Sequence, residues 1–155
     1  MTDHAKDAVP ALRQTRRSLP IALLRARETV MEPVREMLAN SQISEQKWRI
    51  LRVVEESGPV EQTVIAEHAC LLLPSLTRIL RALETENLLT RAASQQDRRK
   101  TMVSISEKGR ELIARHAAES NAIFATLEAQ FGTKKLNTLL DLLEDLQSLH
   151  LTAPK

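Results

Sequence analysis

The sequence predicts a mainly α protein with a small β-hairpin wing, a winged helix-turn-helix flanked by N- and C-terminal dimerisation helices. Three observations carry that class. Between Pro74 and Glu86, Leu76, Ile79, Leu80 and Leu83 recur at three- and four-residue steps, the spacing of one buried helix face. Directly after it, Leu88 to Ala93 and Lys100 to Ser106 carry apolar positions at strand spacing. They are joined by the polar stretch Ser94-Gln95-Gln96-Asp97-Arg98-Arg99, which makes a hairpin with a polar tip. Near both ends of the chain lie helical patterns with more apolar surface than one protomer can cover.

Composition narrows the function. The 155 residues, 43% of them hydrophobic, suffice for a packed core and exclude a disordered tail. One Trp, two Phe and no Tyr supply no stacking platform for single-stranded nucleic acid, whereas duplex reading needs none. A net charge of only +2 requires any nucleic-acid site to be a local patch. A single cysteine permits no intramolecular disulfide, and no stretch approaches the run of about 18 apolar residues of a membrane span. The first residues, Met1-Thr2-Asp3-His4, lack the apolar core of a secretory signal, so a cytoplasmic protein without a membrane partner is expected. Histidines at 4, 68, 116 and 150 have no metal-ligand spacing, and no Gly-rich phosphate loop is present. These absences argue against an enzyme, a metal site or a cofactor.

In chain order, residues 1–17 are polar, with Arg13, Arg16 and Arg17, and read as a flexible arm. Ser18 can cap a helix beginning at Leu19-Pro20 with Leu19, Leu23, Ala26, Val30, Val34 and Met37 along one stripe; Pro33 inside it predicts a bend near Met31. Ser44 can cap a helix over about 45–56 with Trp48, Leu51 and Val54 turned inward, stopped by Gly58-Pro59. A short helix over 62–69 and a turn at 70–73 brace the helix over 74–86, which Pro74 can open and Asn87 can close in a left-handed cap. Cys70, beside Ala69 and Leu71 to Leu73, is expected to be a small buried packing residue. Ser106 can cap a long helix to about Phe131. A last helix, over 134–149, carries Leu136, Leu139, Leu140, Leu142, Leu143, Leu146 and Leu149, a leucine surplus that marks an interface. The expected organisation is an arm at 1–17, dimerisation helices at 18–43 and 107–150, and a DNA-binding region at 44–106.

Leu83-Glu84, Asn87-Leu88-Leu89-Thr90-Arg91, Asp97-Arg98-Arg99 and Ile105-Ser106-Glu107-Lys108-Gly109 together resemble the winged helix-turn-helix of the multiple-antibiotic-resistance regulator (MarR) family. Residues 17–28 and 70–78 look like the subgroup that represses homoprotocatechuate degradation operons. The resemblance covers about residues 17–150. It implies a homodimeric repressor of an aromatic-acid catabolic operon that binds a pseudo-palindromic duplex and is released by a small phenolic or aromatic carboxylic acid. The alternative from another class is a helical dimeric protein-interaction module of the same fold that does not bind DNA; the basic wing argues against it. The sequence departs from the family in lacking a polar capping residue near Leu72, leaving Pro74 as the start signal.

On the outer face of the reading helix, Ser75, Thr77 and Arg78 are candidates for base contacts and Arg81 for phosphate. Arg91, Asp97, Arg98 and Arg99 are candidates in the wing, whose charges are expected to stay unpaired. The resemblance implies that Asp97 orients Arg99 for the minor groove. For the effector, Arg27 falls inside the apolar stripe of the first long helix, about 40° from Leu23 at about 100° per residue. It is a candidate fork for a carboxylate, or else an arginine paired within its own protein. Trp48, His116 and Ser120 are candidates to contact the ring and hydroxyls, against the plainer reading of core residues.

Overall fold

The computed structural model describes residues 11–152, and the chain divides into two units, residues 1–32 and 33–155. Part of the expected N-terminal arm, residues 1–10, lies outside the described residues. In the first unit a single 3-10 turn, Thr15–Arg17, precedes helix α1 (Leu19–Ala39), and Ser18 stands before the helix with its carbonyl accepting from the Ala22 N–H (2.9 Å). Leu19 and Leu24 are more than half exposed, and Leu23 is 40% exposed. The helix is not broken at Pro33.

The second unit holds the core. Val34, Met37 and Leu38, the last turns of α1, are buried there. Helix α2 (Glu45–Ser57) starts at Ser44, whose Oγ accepts from the Lys47 N–H (3.2 Å), and stops at Gly58, whose φ of +68° suits a residue without Cβ. Trp48, Leu51 and Val54 are buried as expected, and Ile50 joins them. Strand β1 (Val60–Glu61) leads into helix α3 (Gln62–His68), and helix α4 (Leu73–Thr85) follows after the turn. Leu76, Ile79, Leu80 and Leu83 are each at most 5% exposed, so the inner face of α4 is the face that its spacing predicts. Asn87, at φ +61°, ends this region in the left-handed cap, its N–H bonded to Glu84 O (2.9 Å) and the Leu88 N–H to Leu83 O (2.9 Å).

Strands β2 (Leu89–Ala93) and β3 (Thr101–Ile105) pair antiparallel, with Leu89 opposite Ile105 and Ala93 opposite Thr101. The hairpin is not alone: β1 pairs with the other edge of β3, Val60 opposite Val103, giving the sheet order β1-β3-β2. The central strand is thereby buried at Val103. Helix α5 (Glu107–Phe131) starts at Ser106, whose Oγ accepts from the Gly109 N–H (3.0 Å), and packs against helix α6 (Thr133–Gln147) beyond the break at Gly132.

Cys70 is exposed, not buried, because the turn between α3 and α4 takes a left-handed residue there (φ +52°). Ala69 fills the inward position instead. Among the described residues no single helix is long and apolar enough to cross a membrane.

Candidate nucleic-acid interface

Helix α4 opens without a side-chain cap. Leu72 precedes it in extended conformation (φ −69°, ψ 141°) and only its carbonyl serves the helix, accepting from the Leu76 N–H (3.0 Å); Pro74 in the first turn supplies the start signal. Ser75 is half-buried, and Arg78 and Arg81 are exposed, as side chains must be to meet a duplex. Thr77 is more constrained than its place on the outer face suggests. Its hydroxyl donates to Leu73 O (3.0 Å) and accepts from Gln62 Nε2 (2.7 Å), so one acceptor position remains for a base. Gln62, which the sequence did not single out, thus ties α3 to the reading helix.

The wing is a tight turn built on Ser94 and Asp97. Ser94 Oγ accepts from the N–H groups of Gln96 and Asp97 (3.3 Å each), and the Lys100 N–H donates to Asp97 O (3.0 Å). The Asp97 carboxylate accepts from the Arg99 N–H (3.1 Å), Nε (3.2 Å) and Nη2 (3.4 Å), while the Arg99 side chain remains 90% exposed. The acid holds the backbone and one edge of the guanidinium while the side chain stays at the surface. The expectation of unpaired wing charges holds only for Arg98. Arg91 makes a two-pronged bond to Glu84 (3.1 and 3.2 Å), bracing β2 against α4, and Lys100 lies 3.4 Å from Glu61 on β1. With Nε and one terminal nitrogen already engaged, Arg91 is a strut of the reading head in this geometry.

The effector candidates fall in both units. In the second, Trp48 (9% exposed) and His116 (7%) meet edge to face, ring centroids 5.7 Å apart at 86°, and Ser41 Oγ lies 2.7 Å from His116 Nε2. Ser120 is half-buried one turn further along α5. In the first, Arg27 is 42% exposed with Nη1 3.9 Å from Glu28. It is not the buried charge its position in the stripe predicts, because the stripe around it is itself uncovered in one chain. Arg49, which the sequence did not single out, has its Nε buried without a hydrogen-bond partner among the described residues, an unusual state for a donor.

The model of the MarR family matches residues 43–101, from before α2 to the start of β3. The homoprotocatechuate degradative operon repressor of Escherichia coli is 37% identical over 132 residues, 85% of this chain and 89% of that protein. The chain belongs to the MarR family. The regulator FarR of Neisseria gonorrhoeae is 33% identical over 85% of this chain and 90% of its own. Among solved structures, NadR in complex with 4-hydroxyphenylacetate superimposes with a TM-score of 0.78 at 31% identity, covering 91% of this chain and all of that one. The repressor CouR bound to a 23-mer DNA duplex gives 0.76 at 26% identity, covering 89% and 99%.

Two carboxylates of this MarR-type head have lowered pKa values. That of Asp97 is held down first by its side-chain bond from Arg99, and that of Glu84 by its bond from Arg91. A depressed folded-state value means that each contribution is present above the unfolded value and lost as the pH falls through the folded one. The wing is therefore expected to keep its order from pH 8 down to about 5, and to loosen only below the ordinary aspartate value of about 3.9. Amide exchange of Arg99 followed against pH, and corrected for the intrinsic rate, measures this. A loss of protection between pH 5 and 7 would assign the wing's order to another group.

Proposed function

We propose that this protein is a homodimeric, sequence-specific DNA-binding repressor of an aromatic-acid catabolic operon, released from its operator by a small phenolic or aromatic carboxylic acid. The observation that carries the reading is the head itself: a reading helix presenting Arg78 and Arg81, and a wing whose Arg99 is oriented by Asp97 through one edge of its guanidinium while its side chain stays 90% exposed. The exposed apolar faces of the terminal helices support a second copy, with 18–43 and 107–150 as dimerisation segments and 44–106 as the DNA-binding region. The E. coli relative is named for a homoprotocatechuate operon, and the NadR structure contains 4-hydroxyphenylacetate, which supports an aromatic acid as the effector class. The effector response is assigned to Trp48, His116 and Ser120 in the second unit and to Arg27 in the first. An acid releases the DNA only by binding the DNA-free state better than the bound one.

Two reading helices related by a two-fold axis enter successive major grooves, so a pseudo-palindromic duplex with half-sites about one turn apart is the target. The test is a titration with duplexes selected by this protein from a random pool, repeated with 4-hydroxyphenylacetate. Tight, salt-sensitive binding that the acid weakens is expected. Arg78→Ala should relax the choice among sequences by about 1–3 kcal/mol, whereas Arg99→Ala should weaken binding mainly where the flanking minor groove is narrow. Equal loss for every duplex in Arg78→Ala would make that residue a phosphate contact, and failure to select any duplex would overturn the reading.

A further inference from the structure

We propose that Leu72 and Leu73 form an apolar lip at the start of the reading helix that selects thymine in the operator by packing on its 5-methyl group. The inference rests on the DNA-binding reading above and adds a specificity element to it.

Leu72 is 78% exposed and Leu73 44%, although both are large and apolar. The packing roles nearby are taken by others: Ala69 is buried before them, and Leu76, Ile79, Leu80 and Leu83 fill the inner face of α4. Nor do the two leucines belong to the exposed apolar faces of α1, α5 and α6 that a second copy would cover. Leu72 moreover stands where serine or aspartate would satisfy an open N–H group of the first turn, and it makes no such bond. A residue that forgoes a cap and exposes its side chain needs an occupant to cover it.

The surroundings favour DNA over protein as that occupant. Leu73 lines a cleft of about 190 Å³ together with Glu61, Gln62, Thr63, Arg99, Lys100 and Thr101, so the apolar side chain borders two cations of the wing, Lys100 paired with Glu61 and Arg99 with its side chain 90% exposed. An apolar protein partner would have to strip water from those cations, whereas a duplex brings phosphates to them. The first residues of a recognition helix are the ones that reach base edges, and the thymine 5-methyl is the apolar group displayed in the major groove.

The experiment uses the full-length protein and the duplex it selects. Each thymine of a half-site is replaced in turn by deoxyuridine, which removes the methyl and leaves the hydrogen-bonding edge unchanged. At one thymine per half-site the affinity is expected to fall about fourfold, the effect of burying one methyl, and about sixteenfold when both half-sites are changed. In the variant Leu72→Ala/Leu73→Ala the thymine and uracil duplexes are expected to bind alike. Leu72→Ser, which restores a cap, is expected to raise the melting temperature while reducing the discrimination, a combination that loss of fold does not produce. If no thymine is sensitive, or if the double variant keeps the full discrimination, the lip is not a thymine reader while the DNA-binding reading stands. If no duplex is selected and the variants alter association with a protein instead, both readings fall.

Discussion

Gly109→Ala is expected to lower the stability of the fold by about 3 kcal/mol, at the upper end of what overpacking a tight site costs. A Cβ at this position would stand 2.2 Å from Leu88 O and 2.9 Å from Ile105 Cγ1. The nearest atom is a backbone carbonyl and cannot turn away like a side chain. Three bonds hold the two backbones together: Ser106 Oγ donates to Asn87 O (2.6 Å), the Ser106 N–H to Leu88 O (3.2 Å), and Lys108 Nζ to Glu86 O (2.9 Å). Helix propensity points the other way, since alanine is favoured over glycine in a helix interior by about 1 kcal/mol. The two effects differ in sign, which makes the measurement decisive. Denaturant unfolding should show a lower midpoint at unchanged slope, the mark of lost stability rather than an altered unfolded state. An unchanged or raised midpoint would mean that α5 can slide away from Leu88. The same junction joins the end of the reading helix to the start of α5, so the substitution should also weaken operator binding.

What the sequence makes legible here is what acts over one or two helical turns. The inner face of α4, the caps at Ser44 and Ser106 and the left-handed residue at Asn87 all depend on neighbours within about four positions, and each is where its pattern places it. Strand β1 fails that test because two residues cannot show alternation. It exists only through pairing with β3, some forty positions away. Cys70 misleads for a related reason: its apolar neighbours suggest burial, but the backbone of the turn decides where its side chain goes.

The site follows the same division. The Asp97–Arg99 clamp joins residues two positions apart and is what the family resemblance of Asp97-Arg98-Arg99 implies. The partners that remove Arg91 and Lys100 from the free charges of the wing, Glu84 and Glu61, belong to other elements. His116 finds Ser41 75 positions away, and no periodicity encodes that hydroxyl. Burial of Trp48 and His116 was in the sequence; that the two rings meet edge to face was not.

Leu139→Glu/Leu142→Glu is expected to raise the dimer dissociation constant by a factor of about 10³ or more. In α6, Leu139 is 40% and Leu142 60% exposed, about 60° apart around the axis, and Leu149, just beyond the end of the helix, is 55% exposed. In α5, Phe124 and Phe131 are likewise 45% and 38% exposed. If association buries what remains uncovered, each leucine contributes about 1 kcal/mol. The four in a dimer then give about 4 kcal/mol, and each buried unpaired carboxylate adds a further cost. Sedimentation velocity at micromolar concentration should show a dimer for the unsubstituted chain and a monomer for the variant. Circular dichroism of that monomer tells whether the protomer folds alone. Many obligate dimers have no folded monomer, and the melting temperature then depends on protein concentration. Operator binding should fall with dimerisation, since a lone head loses the advantage of engaging two half-sites at once. A variant that remains dimeric would place the interface on other faces and leave the leucines of α6 without an occupant.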